Sequence, residues 1–350
     1  MFLFFRAPIV LVLLFYLLTE IWSSSRSKLL DPQLFNLASS TLPSLLLSAK
    51  ASSTTSKYQA TWRQWVAWAE SKSGVQTFPV KPFELCLYIS HLSNSSGAKT
   101  AANAIVAAIK WVHNIAGLPS PTDNPMVKSA VQGYNRVHAS PTLRKEPITP
   151  DILQKLLDSH GHPGANLADL RLLFVCFVSY AGFLRFDDLI GISRKNCSVS
   201  SDRLIIHLEK SKTDQFRQGA DVVIARTYNN TCPVQIAERY FNALGDPVES
   251  QLPVIRRLTT SKKGLLPTHH GLSYTRVREI VREALRPIVP DVSIFGLHSF
   301  RSGGATAAGN ALVPAQLISQ HGRWKTEKAR NAYIQYTPQN RLIASKSLGI

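Results

Sequence analysis

Six side chains of this 350-residue sequence, taken in chain order, could share one reaction. Arg185 and Arg301 can each present a planar fork of donors to a phosphate. Lys212 can give a proton to a leaving alkoxide, and His298, three residues before Arg301, can orient a group or move a proton. The indole N–H of Trp324 can donate to a phosphoryl oxygen, and Tyr333 can attack phosphorus. Together these are the parts of phosphoryl transfer to a tyrosine, with fixed cationic donors where a metal ion would otherwise neutralise developing charge.

Singly, each signal has an ordinary explanation. Arg185, in Gly182-Phe183-Leu184-Arg185-Phe186-Asp187-Asp188, could simply pair with Asp188. Lys212, in Glu209-Lys210-Ser211-Lys212-Thr213-Asp214, sits where lysines are common, and Lys210 and Arg217 could substitute for it. Tyr336, three residues beyond Tyr333, is an alternative nucleophile, and His321 is a rival to Trp324. The set coheres better than its members.

The elements that must position these residues follow from spacing. Four helices are expected between Ser56 and His138: one over Lys57 to Glu70 with Trp62, Trp65 and Ala69 at helical spacing; one opened by Pro82 and carrying Phe83, Leu87 and Tyr88; one over Thr100 to Ala116; and one from Pro125. Residues 26–55 and the polar, proline-punctuated stretch 139–148 read as linkers. Thr149 as N-cap with Pro150 at the first helical position starts a second domain over residues 149–350. Asn166 to Tyr180 is an apolar helix suited to the centre of its core. Arg203 to Leu208 and Ala220 to Ile224 form a hairpin with a basic tip. Helices return from Pro233, Ser273 and Ser302, and again from Pro314 to the end, with breaks at Gly322 and Pro338. The expected fold is mainly α with one small antiparallel sheet.

Composition agrees with an anionic partner. Lys and Arg number 40 against 22 Asp and Glu, a formal net charge of +18, spread along the chain instead of forming a basic tail. With 45% hydrophobic residues a large core can be buried, which excludes collagen-like and disordered classes. Cys86, Cys176, Cys197 and Cys232 are too far apart for a disulfide scaffold or a zinc site, so no metal ligands are assigned and no cofactor is expected.

At these residues the sequence resembles the tyrosine recombinases, also called phage-type integrases, and within them the eukaryotic mobile-element branch. That family's order is arginine, hairpin lysine, H-x-x-R, His or Trp, then tyrosine; here it is filled by Arg185, Lys212, His298, Arg301, Trp324 and Tyr333. Asp188 three residues after Arg185, Ser211-Lys212-Thr213, Gly296-Leu297-His298-Ser299-Phe300-Arg301, and nine residues from Trp324 to Tyr333 also match it. The resemblance is strong from Thr149 onward. It implies a helical core-binding (SAM-like) domain at 56–138 and a tyrosine recombinase catalytic domain at 149–350. Tyr333 would form a 3′-phosphotyrosyl link, Arg185 and Arg301 would hold the nonbridging oxygens with help from Trp324, Lys212 would protonate the 5′-oxygen, His298 would assist as acid or base, and Asp188 would support Arg185. Double-stranded DNA is the implied partner, with a homotetramer on DNA as the working assembly and the nucleus as the implied location.

An apolar run, Met1 to Leu18 broken only by Arg6, conflicts with that location. It resembles a signal peptide or short anchor, and Asn94, Asn196 and Asn229 head N-x-S/T triplets. Residues 1–25 form this signal-like or appended segment, and within it Met1 to Trp22 is expected to be either an upstream gene-model or reading-frame extension or an appendage without function. Three alternatives stand beside an active strand-exchange enzyme: a catalytically inactive, recombinase-derived DNA-binding protein; a secreted or membrane glycoprotein; and a type IB topoisomerase.

Overall fold

The structure is a computed structural model and describes residues 28, 31–95, 98–141, 144–209, 219–259, 261 and 264–350. The chain divides into two compact units, Met1–Thr142 and Leu143–Ile350.

In the first unit the described helices are α1 (Pro32–Asn36), α2 (Leu42–Ser48), α3 (Ser52–Glu70), α4 (Pro82–Ser95), α5 (Ala101–Ala116) and α6 (Pro125–Val137); a turn of π-helix, Leu37–Thr41, joins α1 to α2. Helix in 32–48 corrects the expectation of a linker at 26–55. Asp31 caps α1 through Gln33 N–H at 2.7 Å, and Pro32 and Pro43 sit in first turns, where a missing N–H costs nothing. Trp62, Trp65 and Ala69 are buried as their spacing requires, and Trp65 also donates its indole N–H to Thr77 O at 2.9 Å. On α4 the buried face is Leu85, Tyr88 and Ile89, whereas Phe83 and Leu87 remain exposed.

The second unit is built on α8 (Leu167–Ala181), buried along nearly its whole length. Against it lie α7 (Pro150–His160), α10 (Pro233–Leu244), α11 (Tyr274–Leu285) and α12 (His298–Asn310). The short α9 (Phe186–Ile190) follows α8 directly; α13 (Ala315–Gly322), α14 (Glu327–Asn331) and α15 (Pro338–Lys346) complete the chain. The sheet has three antiparallel strands in the order β1 (Cys197–Val199), β2 (Arg203–Leu208), β3 (Ala220–Ala225), with Cys197 opposite Ile206 and Leu204 opposite Ile224. β1 is too short, at three residues, to show a period of its own.

Residues 144–148, expected to be linker, are integral to this unit. Ile148 is buried and its N–H bonds Ser299 O at 2.9 Å, Glu146 N–H bonds Ile294 O at 2.9 Å, and Arg144 donates to the Ala332 carbonyl. Among the described residues no helix is long and apolar enough to cross a membrane. The apolar run of residues 1–25 lies outside them.

Candidate active site

Helix α8 stops at Gly182, and the chain then turns through Phe183, whose φ of 46° lies in the left-handed region. Arg185 is the extended N-cap residue of α9, with φ −81° and ψ 160°. Asp188, three residues on, is completely buried and accepts from Arg185 N–H at 3.2 Å, so the carboxylate fixes the backbone that launches Arg185. The two side chains themselves are 3.8 Å apart.

Helix α12 delivers Arg301, which is fully buried. It can approach α8 because Gly303 and Gly304 carry no side chain: a Cβ there would lie 2.2 Å from Ile148 O and 2.1 Å from Tyr180 O. This close approach lets Arg301 donate to the Phe183 carbonyl and, at 2.7 Å, to Gly322 O. Gly322 ends α13, and the Trp324 ring folds back over it, so that a Cβ at 322 would be 2.0 Å from the ring. The Arg301 guanidinium then lies 4.4 Å from the centre of the Trp324 ring and 5.0 Å from that of Tyr333. The two aromatic rings are themselves 5.2 Å apart.

Tyr333 does not lie on a helix. It occupies a turn after α14, and 334–337 belong to no helix, which corrects the expectation of continuous helix from Gly322 to Pro338. Its carbonyl accepts from Ser302 Oγ at 2.7 Å and from Thr306 Oγ1 at 3.2 Å, both on α12.

Charge and unmet hydrogen bonds mark this place. Around Asp188 and Arg301 stand three guanidiniums, Arg185, Arg301 and Arg323, against one carboxylate, a formal excess of two positive charges. Burial, and then the neighbouring Arg185 and Arg323, push the Arg301 pKa down to about 9. The Arg185 Nη1, Arg301 Nε, Arg323 Nε and Trp324 Nε1 atoms are buried without a hydrogen-bond partner. An unmet buried donor costs about 1–3 kcal/mol, so four of them in one neighbourhood call for an acceptor that is anionic and many-sided. A phosphodiester has that form.

The structure thus brings together Arg185, Asp188, Arg301, Trp324 and Tyr333. His298 is the first residue of α12 and is exposed, one turn ahead of Arg301. Lys212, with Lys210 and Arg217, lies outside the described residues, between the ends of β2 and β3. Tyr336 is about half exposed and stands beside Gly309, outside the stack formed by Arg301, Trp324 and Tyr333. His321 serves the packing of the fold. Its Nε2–H donates to Ala181 O at 2.7 Å, its ring meets Phe183 edge-on at 4.6 Å, and burial lowers its pKa, which favours the neutral ring. Arg323 carries no signal in the sequence, because Asp188, its ion-pair partner at 3.3 Å, lies 135 residues away.

A mainly α domain with a three-stranded sheet and this arginine, tryptophan and tyrosine constellation is the arrangement that the resemblance to the tyrosine recombinases implies. No family model matches the chain. An integrase/recombinase xerD homolog from Selenomonas ruminantium is 27% identical over 294 residues, 83% of either chain. The XerH site-specific recombinase, in a post-cleavage complex with palindromic difH substrate, is similar with a TM-score of 0.59 at 12% identity, covering 99% of this chain and 97% of that one. A lambda integrase dimer bound to a COC′ core site is similar with a TM-score of 0.53 at 12% identity, over 83% and 91%. In sequence the chain is thus similar to a bacterial integrase/recombinase, and in fold to site-specific tyrosine recombinases and integrases.

Proposed function

We propose that this recombinase cuts and rejoins duplex DNA in site-specific recombination or integration, with Tyr333 as nucleophile. The observation that carries the proposal is the trio of buried, unpartnered donors on Arg185, Arg301 and Trp324, beside the Tyr333 ring. A scissile phosphate among them gives each donor an acceptor. Tyr333 Oη attacks phosphorus; the new P–O bond forms as the bond to the 5′-oxygen breaks, leaving a 3′-phosphotyrosyl link and a 5′-alkoxide. Lys212 gives that alkoxide its proton, and His298, at the exposed start of α12, acts as the base that accepts the phenolic proton of Tyr333. Charge building on the nonbridging oxygens is met by Arg185, Arg301 and the Trp324 indole. Asp188 keeps Arg185 in place. Reversal by a different strand's 5′-hydroxyl completes the exchange without an external energy source, because the ester conserves the phosphodiester bond.

A nicked suicide duplex tests this. Wild type retains DNA covalently after denaturation, Tyr333→Phe retains none, and Tyr336→Phe behaves as wild type. Equal trapping by Tyr333→Phe overturns the assignment of the nucleophile. Tight DNA binding without any covalent product identifies instead an inactive, recombinase-derived DNA-binding protein.

The finer readings rest on the sequence. The motifs favour the eukaryotic mobile-element branch, although the curated relative is bacterial; repeats flanking the gene would support it. The first unit serves as a core-binding domain, four copies assemble on paired sites, and the protein works in the nucleus. Mass measurement of the DNA complex and imaging of a tagged full-length chain test the last two.

A further inference from the structure

We infer that Arg323 is a positioning residue that locks the two phosphate-facing arginines to each other; the inference rests on the recombinase reading above. Arg323 caps α13 with φ 56° and ψ 40°, a left-handed conformation that a non-glycine residue keeps only where its surroundings enforce it. Its guanidinium supplies the enforcement. Nη1 donates to Gly182 O at 3.3 Å and to His321 O at 3.2 Å; Nη2 donates to Phe183 O at 3.2 Å and to Asp188 Oδ2 at 3.3 Å.

Two of those acceptors are shared. The Phe183 carbonyl also receives Arg301, and Asp188 Oδ2 also receives the Arg185 N–H and faces the Arg185 guanidinium. Arg323 is therefore bonded at once to the group that holds Arg185 and to the group that holds Arg301. All four of these bonds go to protein atoms, so the two Nη nitrogens are committed to fixing geometry, and only the buried Nε is left without a partner. It also adds the third positive charge, which keeps the site cationic although Asp188 neutralises one guanidinium. A lysine retains that charge but has no fork, and cannot bridge four acceptors spread over two segments.

The test compares wild type with Arg323→Gly and Arg323→Lys in the full-length chain, reading equilibrium DNA binding, the single-turnover rate of covalent trapping on the suicide duplex, and the side-chain 15N–1H resonance of Arg301 Nε. Glycine suits the left-handed turn, so the backbone survives. The expected result for Arg323→Gly is binding within about threefold of wild type and trapping slowed about 100-fold, the scale set by misplacing a catalytic group by about 1 Å, with the Arg301 signal shifted. Arg323→Lys should restore binding fully and trapping only in part. The inference is overturned if Arg323→Gly traps DNA at the wild-type rate, if binding and trapping fall in parallel, or if the Arg301 resonance stays in place. Should wild type itself trap no DNA, the recombinase reading fails; the Arg301 resonance then decides the positioning role alone.

Discussion

The guanidinium of Arg323 and the carbonyl of Phe183 meet at 3.2 Å, and both residues are non-glycines in the left-handed region. Such conformations cost roughly 1–2 kcal/mol each. They coexist here because the hydrogen bond that joins them belongs to a set that also receives Arg301 and, through Asp188, Arg185. Strain in two turns is thereby converted into a fixed spacing between arginines delivered by α9 and α12.

Trp324→Phe should separate the indole's packing from its N–H. Phenylalanine keeps an aromatic face over Arg301 and Gly322 but removes the unpartnered Nε1 donor. Loss of one preorganised donor to a transition-state oxygen lowers a rate by about 10²–10³-fold. Single-turnover trapping should fall by that order while the melting temperature moves little. A wild-type rate would remove the indole from the reaction.

Gly322→Ala pits two effects against each other. Alanine improves helix propensity at the end of α13 by about 1 kcal/mol, yet its Cβ would sit 2.0 Å from the Trp324 ring, which must then leave Arg301. Overpacking of this kind costs about 1–3 kcal/mol and should win. Thermal unfolding is expected to shift downward, with Trp324 emission moving toward that of an exposed indole.

At Arg301 the consequences of substitution reach beyond catalysis. Arg301→Ala leaves the Gly322 carbonyl without this donor, at about 1–3 kcal/mol for a buried group left unmet, whereas the Phe183 carbonyl keeps its bond from Arg323. Arg301→Lys restores a charge but cannot serve both carbonyls while facing a phosphate. Both variants should be inactive in trapping, and calorimetry should find the alanine variant the less stable of the two.

A pH response is built into the first unit at His113, which is completely buried. Its Nδ1–H donates to Ile109 O at 2.9 Å and its Nε2 accepts from Val80 N–H at 3.2 Å, a pattern only the neutral ring can satisfy. Burial accordingly holds its pKa below 6.5. The unfolded chain takes up the proton first, so the stabilisation is complete above about pH 6.5 and declines as pH falls toward the depressed folded-state value. Urea midpoints followed by tryptophan emission, which is dominated by Trp62, Trp65, Trp68 and Trp111 of this unit, should drop below pH 6.5 in wild type. His113→Gln should flatten that slope.

What residue order makes legible is the part fixed by local periodicity and by side-chain chemistry. The Trp62, Trp65, Ala69 face, the cap at Thr149 and the long apolar α8 all follow from spacing, as does the series running from Arg185 to Tyr333. The segment holding α1 and α2 carries a weaker signal, because its apolar residues Leu34, Phe35, Leu42 and Leu45 stay exposed and define no core face. Tyr333 reads as helical because Thr326 to Gln335 contains no proline or glycine. Its turn is set by side chains of α12, far away in sequence. Arg323 is silent for the same reason: its meaning lies in Gly182, Phe183 and Asp188, which only the folded chain brings near.

The fastening of the Tyr333 carbonyl to Ser302 and Thr306 restricts how strands can trade places in the proposed reaction. A DNA end esterified to the phenol is tethered through a backbone pinned to α12, next to Arg301 in the chain. Its freedom is limited to the two side-chain torsions of one tyrosine. The covalent end is thus the stationary member of the exchange, and the traveller is the incoming 5′-hydroxyl.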